Sequence, residues 1–156
     1  AEKGWIDLAG QAGVPAAIIR LSGIYGPGRN ALKTLDAGKA RRLIKPGQVF
    51  NRIHVADIGG ATALLARERL GGIFNVTDDM PAPPQDVVEH AAGLMGVEPP
   101  PETDFESADL SPMARSFYGE NKRVSNARIK AAGFSFAYPD YKAGLGTLWS
   151  DGTWKG

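Results

Sequence analysis

The stretch Ala16-Ala17-Ile18-Ile19-Arg20-Leu21 constrains the fold more than any other. It has the length of a strand, and nearly every position is apolar, as in a strand covered on both faces. Such strands belong to parallel sheets sandwiched by helices, so helical patterns should flank it. Ahead of it Trp5, Leu8, Ala9 and Ala12 recur at helical spacing, and Gly13 and Pro15 supply a stop. Beyond it a second strand reads from Val49 to Val55, and Asp57 opens a helix with Ile58, Ala61 and Leu65 on its apolar face. A third strand, Ile73 to Val76, follows Gly71-Gly72 and closes at Asp78-Asp79. The next helix has Pro84 and Asp86 in its first turn, a face of Val87, Val88, Ala91 and Met95, and Gly96 at its close. Strand and helix alternating in this way predict an α/β fold.

The pattern changes at Pro99-Pro100-Pro101, and no period is visible from there to Arg123. Ser125 then reads as an N-cap, with Val124 and Ile129 at the spacing of a hydrophobic staple and Gly133 as the stop. Phe134 and Phe136 suggest a brief strand, Pro139 starts a last helix toward Trp149, and residues 151–156 read as a frayed tail. With 156 residues, 43% of them hydrophobic, the chain has material for one ordinary core and reads as one domain. Its net charge of +1, on scattered Arg and Lys, gives no reason to expect nucleic acid or an anionic membrane as partner. No apolar run is long enough to span a bilayer. Cysteine is absent, which removes disulfides, thiolate catalysis and zinc–thiolate sites, and a cytoplasmic setting is expected. Only His54 and His90 accompany the acids, so Asp78-Asp79 reads as a turn and no metal site is expected. The chain opens on Ala1-Glu2-Lys3 within a helical pattern and without a cap ahead of it, as a chain cut from something longer would.

Three segments in register carry a family resemblance: IIRLSGIYGPGRN (Ile18 to Asn30), NRIHVADI (Asn51 to Ile58) and GIFNVTDD (Gly72 to Asp79). In this order and spacing the chain resembles the C-terminal half of extended short-chain dehydrogenases/reductases, the NAD-dependent epimerase/dehydratase family. PGQVFNRIHVADI, PAPPQDV and ARSFYGENKRV are similar to its YeeZ-like members. The resemblance implies the late part of a Rossmann-type NAD(P)-binding sheet plus a small substrate-binding region. Residues 1–156 would form a single incomplete domain: 1–98 the late strands, helices and substrate loops, 99–150 the substrate-binding region, and 151–156 the tail. It also implies that the glycine-rich nucleotide turn and the catalytic Tyr-x-x-x-Lys pair lie ahead of Ala1. The complete protein would use NAD or NADP, and this chain alone would bind neither and carry no catalytic residue.

Two patterns within the chain imitate those parts. Gly23-x-x-Gly26-x-Gly28 follows a strand, but it is one residue short of a dinucleotide turn and is crowded by Ile24, Tyr25 and Pro27. Tyr-x-x-x-Lys occurs at Tyr118–Lys122 and Tyr138–Lys142, spacing that would let an ammonium lower a phenol pKa on one helix face. Both occurrences lie after YGPG, whereas the family's pair precedes it, so chance is the expected reading.

By resemblance, Leu21, Ser22 and Tyr25 are candidates for the cofactor side. Gly26, Arg29, Asn30, Phe50, Arg52, His54, Arg115 and Arg123 are candidates for the substrate side. YGPG is equally a plain tight turn, and Arg29 is either an anion-binding fork or a solvated loop arginine. Arg52 and His54 alternate with Ile53 and Val55 and should share one strand face. Many family members that take nucleotide sugars have an arginine four residues before this histidine. Phe50 stands there instead, which argues against a nucleoside-diphosphate grip. His54 is either a hydrogen-bonded structural histidine or a site residue. Arg115, Lys122 and Arg123 either charge the cleft or face solvent. Two functions remain open. One is the substrate-side half of an NAD(P)-dependent oxidoreductase, epimerase or dehydratase acting on a small polar, sugar-like molecule. The other is a non-catalytic ligand- or partner-binding module derived from that fold. Sheet strands lacking neighbours would leave edges that favour a homodimer.

Overall fold

A computed structural model describes residues 1–156. The chain is mixed α/β, and its strands pair in three parallel two-stranded ladders. The helix α1 (Glu2–Ala12) ends on Gly13, whose left-handed φ of +66° is one that residues with a Cβ avoid. β1 (Ala17–Leu21) pairs with β5 (Gly72–Val76) from Ala17↔Gly72 to Leu21↔Val76. β2 (Gly23–Tyr25) pairs with β4 (Arg52–His54), placing Gly23 opposite Arg52 and Tyr25 opposite His54. β3 (Arg42–Ile44) pairs with β6 (Glu102–Asp104). Between these run α2 (Ala31–Asp36), α3 (Val55–Arg67), α4 (Pro84–Met95), α5 (Pro112–Phe117), α6 (Ala127–Ala131) and α7 (Tyr141–Ser150).

Two apolar clusters lie beside the β2–β4 ladder. One joins α2, α4 and α7 through Leu32, Val87, Ala91, Leu145 and Leu148, with Tyr25 and Trp154 at its border. The other packs α3 and α6 on the strands through Ile53, Ala61, Leu65, Phe74, Val76 and Ile129. The helix ends follow capping chemistry. Asn30 accepts the Lys33 amide at 2.9 Å and Asp140 accepts the Ala143 amide at 2.8 Å, while Gly96 closes α4 in a left-handed conformation.

The structure departs from the sequence reading in several places. Within the segment read as a continuous loop from Ser22 to Asn30, β2 forms, because β4 offers a backbone ladder that no local pattern announces. The strand expected over Val49 to Val55 shrinks to Arg52–His54, and α3 begins two residues before Asp57, with the His54 ring nitrogen accepting the Ala56 amide. The aperiodic stretch from 99 to 123 contains β6 and α5, and both are too short for a period to show. Phe134 and Phe136 form no strand; their rings pack edge to face at 4.9 Å on the second cluster. Asn126, not Ser125, holds the N-cap position of α6. The tail is folded: Thr153–Lys155 makes a 3-10 turn and Trp154 is only 8% exposed. β1 contains no buried residue; its only ladder is to β5, and Arg20 on it pairs with Glu2 of α1. Trp5 on α1 is 64% exposed.

Candidate active-site cleft

The carboxyl ends of parallel strands are where loops diverge and leave a crevice. Leu21 and Val76 end β1 and β5 side by side. Leu21, Ser22 and Thr77, with Asn51, Phe117 and Lys122 opposite, line a cavity of about 640 Å³. A second cavity of about 470 Å³ adjoins it and is lined by Tyr25, Arg29, Asn30, Thr34 and Arg52. Gly23, Phe50, Asn51 and Phe117 line both, so the two are lobes of one cleft. The Ser22 hydroxyl is buried at this cleft without a hydrogen-bond partner.

The far wall is the long loop after β6, sewn to residues 45–51 by side-chain amides and one lysine. Asn51 donates to the Lys122 carbonyl at 2.8 Å and accepts the Val124 amide at 2.9 Å. Gln48 donates to the Glu120 carbonyl at 2.8 Å, and Lys45 to that of Tyr118 at 2.6 Å. Tyr118 meets Phe50 edge to face at 5.2 Å and stacks on Phe105 at 4.7 Å, bracing this wall. Asn51 and Phe117 escaped the sequence reading. A lone Asn or Phe in an aperiodic stretch carries no signal until the loop it anchors is placed.

The floor of the cleft is built on β2 and β4. Tyr25 lies edge-on to His54 at 5.2 Å and donates its hydroxyl to the Asp140 carbonyl at 3.3 Å. Burial pushes the Tyr25 phenol far above its ordinary pKa, with Asp78 adding to the rise. His54 is buried, with its ring centroid 3.9 Å from that of Tyr138. Its Nδ1 accepts the Ala56 amide, so the neutral tautomer carries its proton on Nε2, which has no partner. Burial pushes the His54 pKa below 6.5, against the pull of Asp57. Asp57, likewise buried, accepts the amides of Ala137 and Tyr138 at 2.8 and 3.0 Å and so fixes the entry to α7. Arg52 reaches from β4 across the Tyr141 ring at 5.9 Å, and its Nη1 donates to the carbonyls of Phe50 and Ala82. Burial lowers the Arg52 pKa, opposed first by Asp78. Asp78 is 2% exposed, and burial pushes its pKa up to about 7 although the Met80 amide bonds to it.

Of the candidates from sequence, Leu21 and Ser22 line the first lobe; Tyr25, Arg29, Asn30 and Arg52 line the second; Phe50 lines both. Gly26 and His54 lie together beneath the second lobe, where a Cβ on Gly26 would stand 3.7 Å from His54 Nε2. The Asn30 amide is held inside the protein, donating to the Gly26 and Trp154 carbonyls at 2.8 Å each. Arg115 and Arg123 lie outside both lobes. Arg115 instead braces the loop, donating to the Ala108 carbonyl and standing 5.0 Å over the Phe105 ring.

The glycine-rich imitation and the first Tyr-x-x-x-Lys are held in structural contacts. The amides of Gly26, Gly28 and Arg29 are bonded to the carbonyls of Arg29, Trp154 and Gly26, and Gly28 takes φ +73° in the turn after Pro27. Tyr118 packs edge to face on Phe50 and stacks on Phe105, and Lys122 pairs with Glu120.

No family profile matches the chain. Protein YeeZ of Escherichia coli K12 is 34% identical over 132 residues, covering 82% of this chain and 43% of that protein. A Streptomyces protein named 3-diazoavenalumate denitrifying reductase is 29% identical over 154 residues, covering 90% and 47%. Among solved structures, a functionally unknown conserved protein from Silicibacter pomeroyi superposes with a TM-score of 0.81 at 52% identity, over 87% of this chain and 48% of that one. A Methylobacillus flagellatus structure assigned to the NAD-dependent epimerase/dehydratases gives 0.58 at 30% identity, over 86% and 46%. The chain belongs to the NAD-dependent epimerase/dehydratase family and corresponds to its C-terminal half. It spans about half the length of the relatives it matches. The same fold appears at 17% identity in human epimerase family protein SDR39U1 with NADPH, at a TM-score of 0.74 over 88% and 49%. The NAD-dependent epimerase/dehydratase family has a Rossmann-type fold, and the ladder β1–β5 is part of that sheet. No helix of the chain is long and apolar enough to cross a membrane.

Proposed function

We propose that this chain forms the substrate-side half of an NAD(P)-dependent oxidoreductase, epimerase or dehydratase. One observation carries the reading: a two-lobed cleft opens at the carboxyl ends of β1 and β5, with the unpartnered Ser22 hydroxyl at one lobe and Arg52 at the other. Bound in the first lobe, the nicotinamide would accept or donate hydride. Leu21 and Ser22 would flank it, and Tyr25, Arg29, Phe50 and Arg52 would orient the substrate. In the Gly23–Gly28 turn the amides of Gly23, Gly26 and Gly28 are spent on backbone carbonyls and Pro27 has none, and Lys122 pairs with Glu120, which supports residues that position the substrate rather than transfer protons. The substrate is small and polar at its reacting end, in the size class of a sugar. It bears no nucleoside diphosphate, since Phe50 occupies the place of the arginine that would grip one.

Purified alone, the chain should show no steady oxidation or reduction of nicotinamide. The reading frame upstream of the Ala1 codon should encode a strand–Gly-x-x-Gly-x-x-Gly turn and a Tyr-x-x-x-Lys pair. Turnover by the chain alone, or an unrelated upstream segment, would defeat the proposal. The unpaired edge of β1 and the exposed apolar side chains Trp5, Leu8 and Leu21 also favour self-association. Sizing should show oligomers that grow with concentration, and a monomer at every concentration would refute that part.

A further inference from the structure

Arg52 is half-buried and takes part in none of the molecule's ion pairs. Of its five N–H groups only those on Nη1 have acceptors, the Phe50 and Ala82 carbonyls at 3.0 and 3.1 Å. A desolvated guanidinium without a counter-ion is costly to hold, and its open fork suits a carboxylate. Asp78 does not fill that role: it makes no ion pair, one of its oxygens bonds the Met80 amide, and the other is buried without a partner.

Behind Arg52 lies a chamber of about 290 Å³, set between α2, α4 and α7 and lined by Ala31, Val87, Val88, Tyr141 and Leu145. Tyr25, Thr34 and Arg52 line both this chamber and the second lobe of the cleft, so the two spaces meet at the guanidinium. The walls beyond Arg52 are mainly apolar and would reward an apolar body by removing it from water. Arg41, also on the lining, is exposed and gives one N–H to the Asp109 carbonyl at 3.1 Å, whereas Arg52 is the half-buried cation between the two spaces.

We infer that Arg52 and this chamber form a binding site for an apolar-bodied monocarboxylate, with the carboxylate on Arg52 and a ring-sized apolar group between α2, α4 and α7. The inference deepens, and rests on, the substrate-side reading of the cleft. It names the substrate as an anion with a hydrophobic part, its reacting end turned toward Ser22.

The test uses the purified 156-residue chain and three probes followed by calorimetric titration: trans-cinnamate, its uncharged amide cinnamamide, and acetate. Cinnamate should bind at least tenfold more tightly than either of the others, because only it combines charge and body. Val88→Phe narrows the chamber without touching Arg52 and should weaken cinnamate at least tenfold while circular dichroism shows the fold intact. Arg52→Met should erase the preference for cinnamate over cinnamamide. Because Arg52 also holds two carbonyls and its loss can unfold the chain, the Val88 variant stands as an independent arm. Equal affinity for cinnamate and cinnamamide, absence of saturable cinnamate binding, or cinnamate binding indifferent to Val88→Phe overturns the inference. The upstream reading frame decides the substrate-side reading separately. Failure with cinnamate in a protein whose upstream frame encodes the nucleotide turn therefore overturns the chamber alone.

Discussion

Asp78 has one carboxylate oxygen on the Met80 amide at 3.2 Å and the other with no donor, in a position 2% exposed. Burial therefore favours its neutral form and raises its pKa from 3.8 to about 7. Between those values the folded chain holds a proton that the unfolded chain has released. This group's contribution to stability accordingly declines as pH rises from about 4 to about 7, and the penalty is complete above that. His54 has the opposite sign. Its pKa is lowered by burial, so it destabilises the fold as pH falls through about 6.5. The two slopes overlap, and only a variant separates them. Asp78→Asn keeps an acceptor for Met80 and removes the titration, so it should gain about 2–4 kcal/mol over wild type on going from pH 5 to pH 8. Urea unfolding at both values measures this, and the same difference at each pH would show that Asp78 is ionised in the folded chain.

Elements in this fold are placed by polar clamps as much as by apolar faces, and α7 shows how. Asp57 in the first turn of α3 takes two amides of the segment entering α7, and Asp140 caps that helix. Tyr25 then passes beneath Gly144, where a Cβ would come within 2.7 Å of two ring carbons. Gly144→Ala therefore sets a helix-propensity gain of about 1 kcal/mol against an overpacking cost of about 1–3 kcal/mol. Gly146, in the same helix, has open space where its Cβ would go. We expect Gly146→Ala to raise Tm by roughly 2–4 °C and Gly144→Ala to lower it by a similar amount. Equal shifts for the two would mean that Tyr25 is not seated against α7.

At the scale of the whole molecule, the last six residues join the cleft to the helical layer. Trp154 packs 5.8 Å from Trp149, and its carbonyl receives the Gly28 amide and the Asn30 side chain, so the chain end holds the 26–29 turn in place. Trp154→Ala should cost about 3–5 kcal/mol and loosen the Arg29 side of the cleft together with the tail. A change under 0.5 kcal/mol in the urea midpoint, which is typical of a surface site, would restore the frayed-tail reading.

The sequence by itself determined the α/β alternation, the β1–β5 strands, the frame of α4 between Pro84 and Gly96, and the family through three motifs in register. Each is a local matter of periodicity, caps or motif spacing, legible within about ten to twenty residues. It also singled out Leu21, Ser22, Phe50 and Arg52, which line the two lobes of the candidate cleft. Tertiary structure alone decided the rest. β2 and β6 exist only because a partner strand supplies the ladder. His54 and Asn30 became buried caps because of what the rest of the chain brings over them, and Arg115 stands away from the cleft because its loop turns it onto Phe105. Burial, a partner strand and the absence of a counter-ion arise from residues distant in sequence, and no local pattern records them.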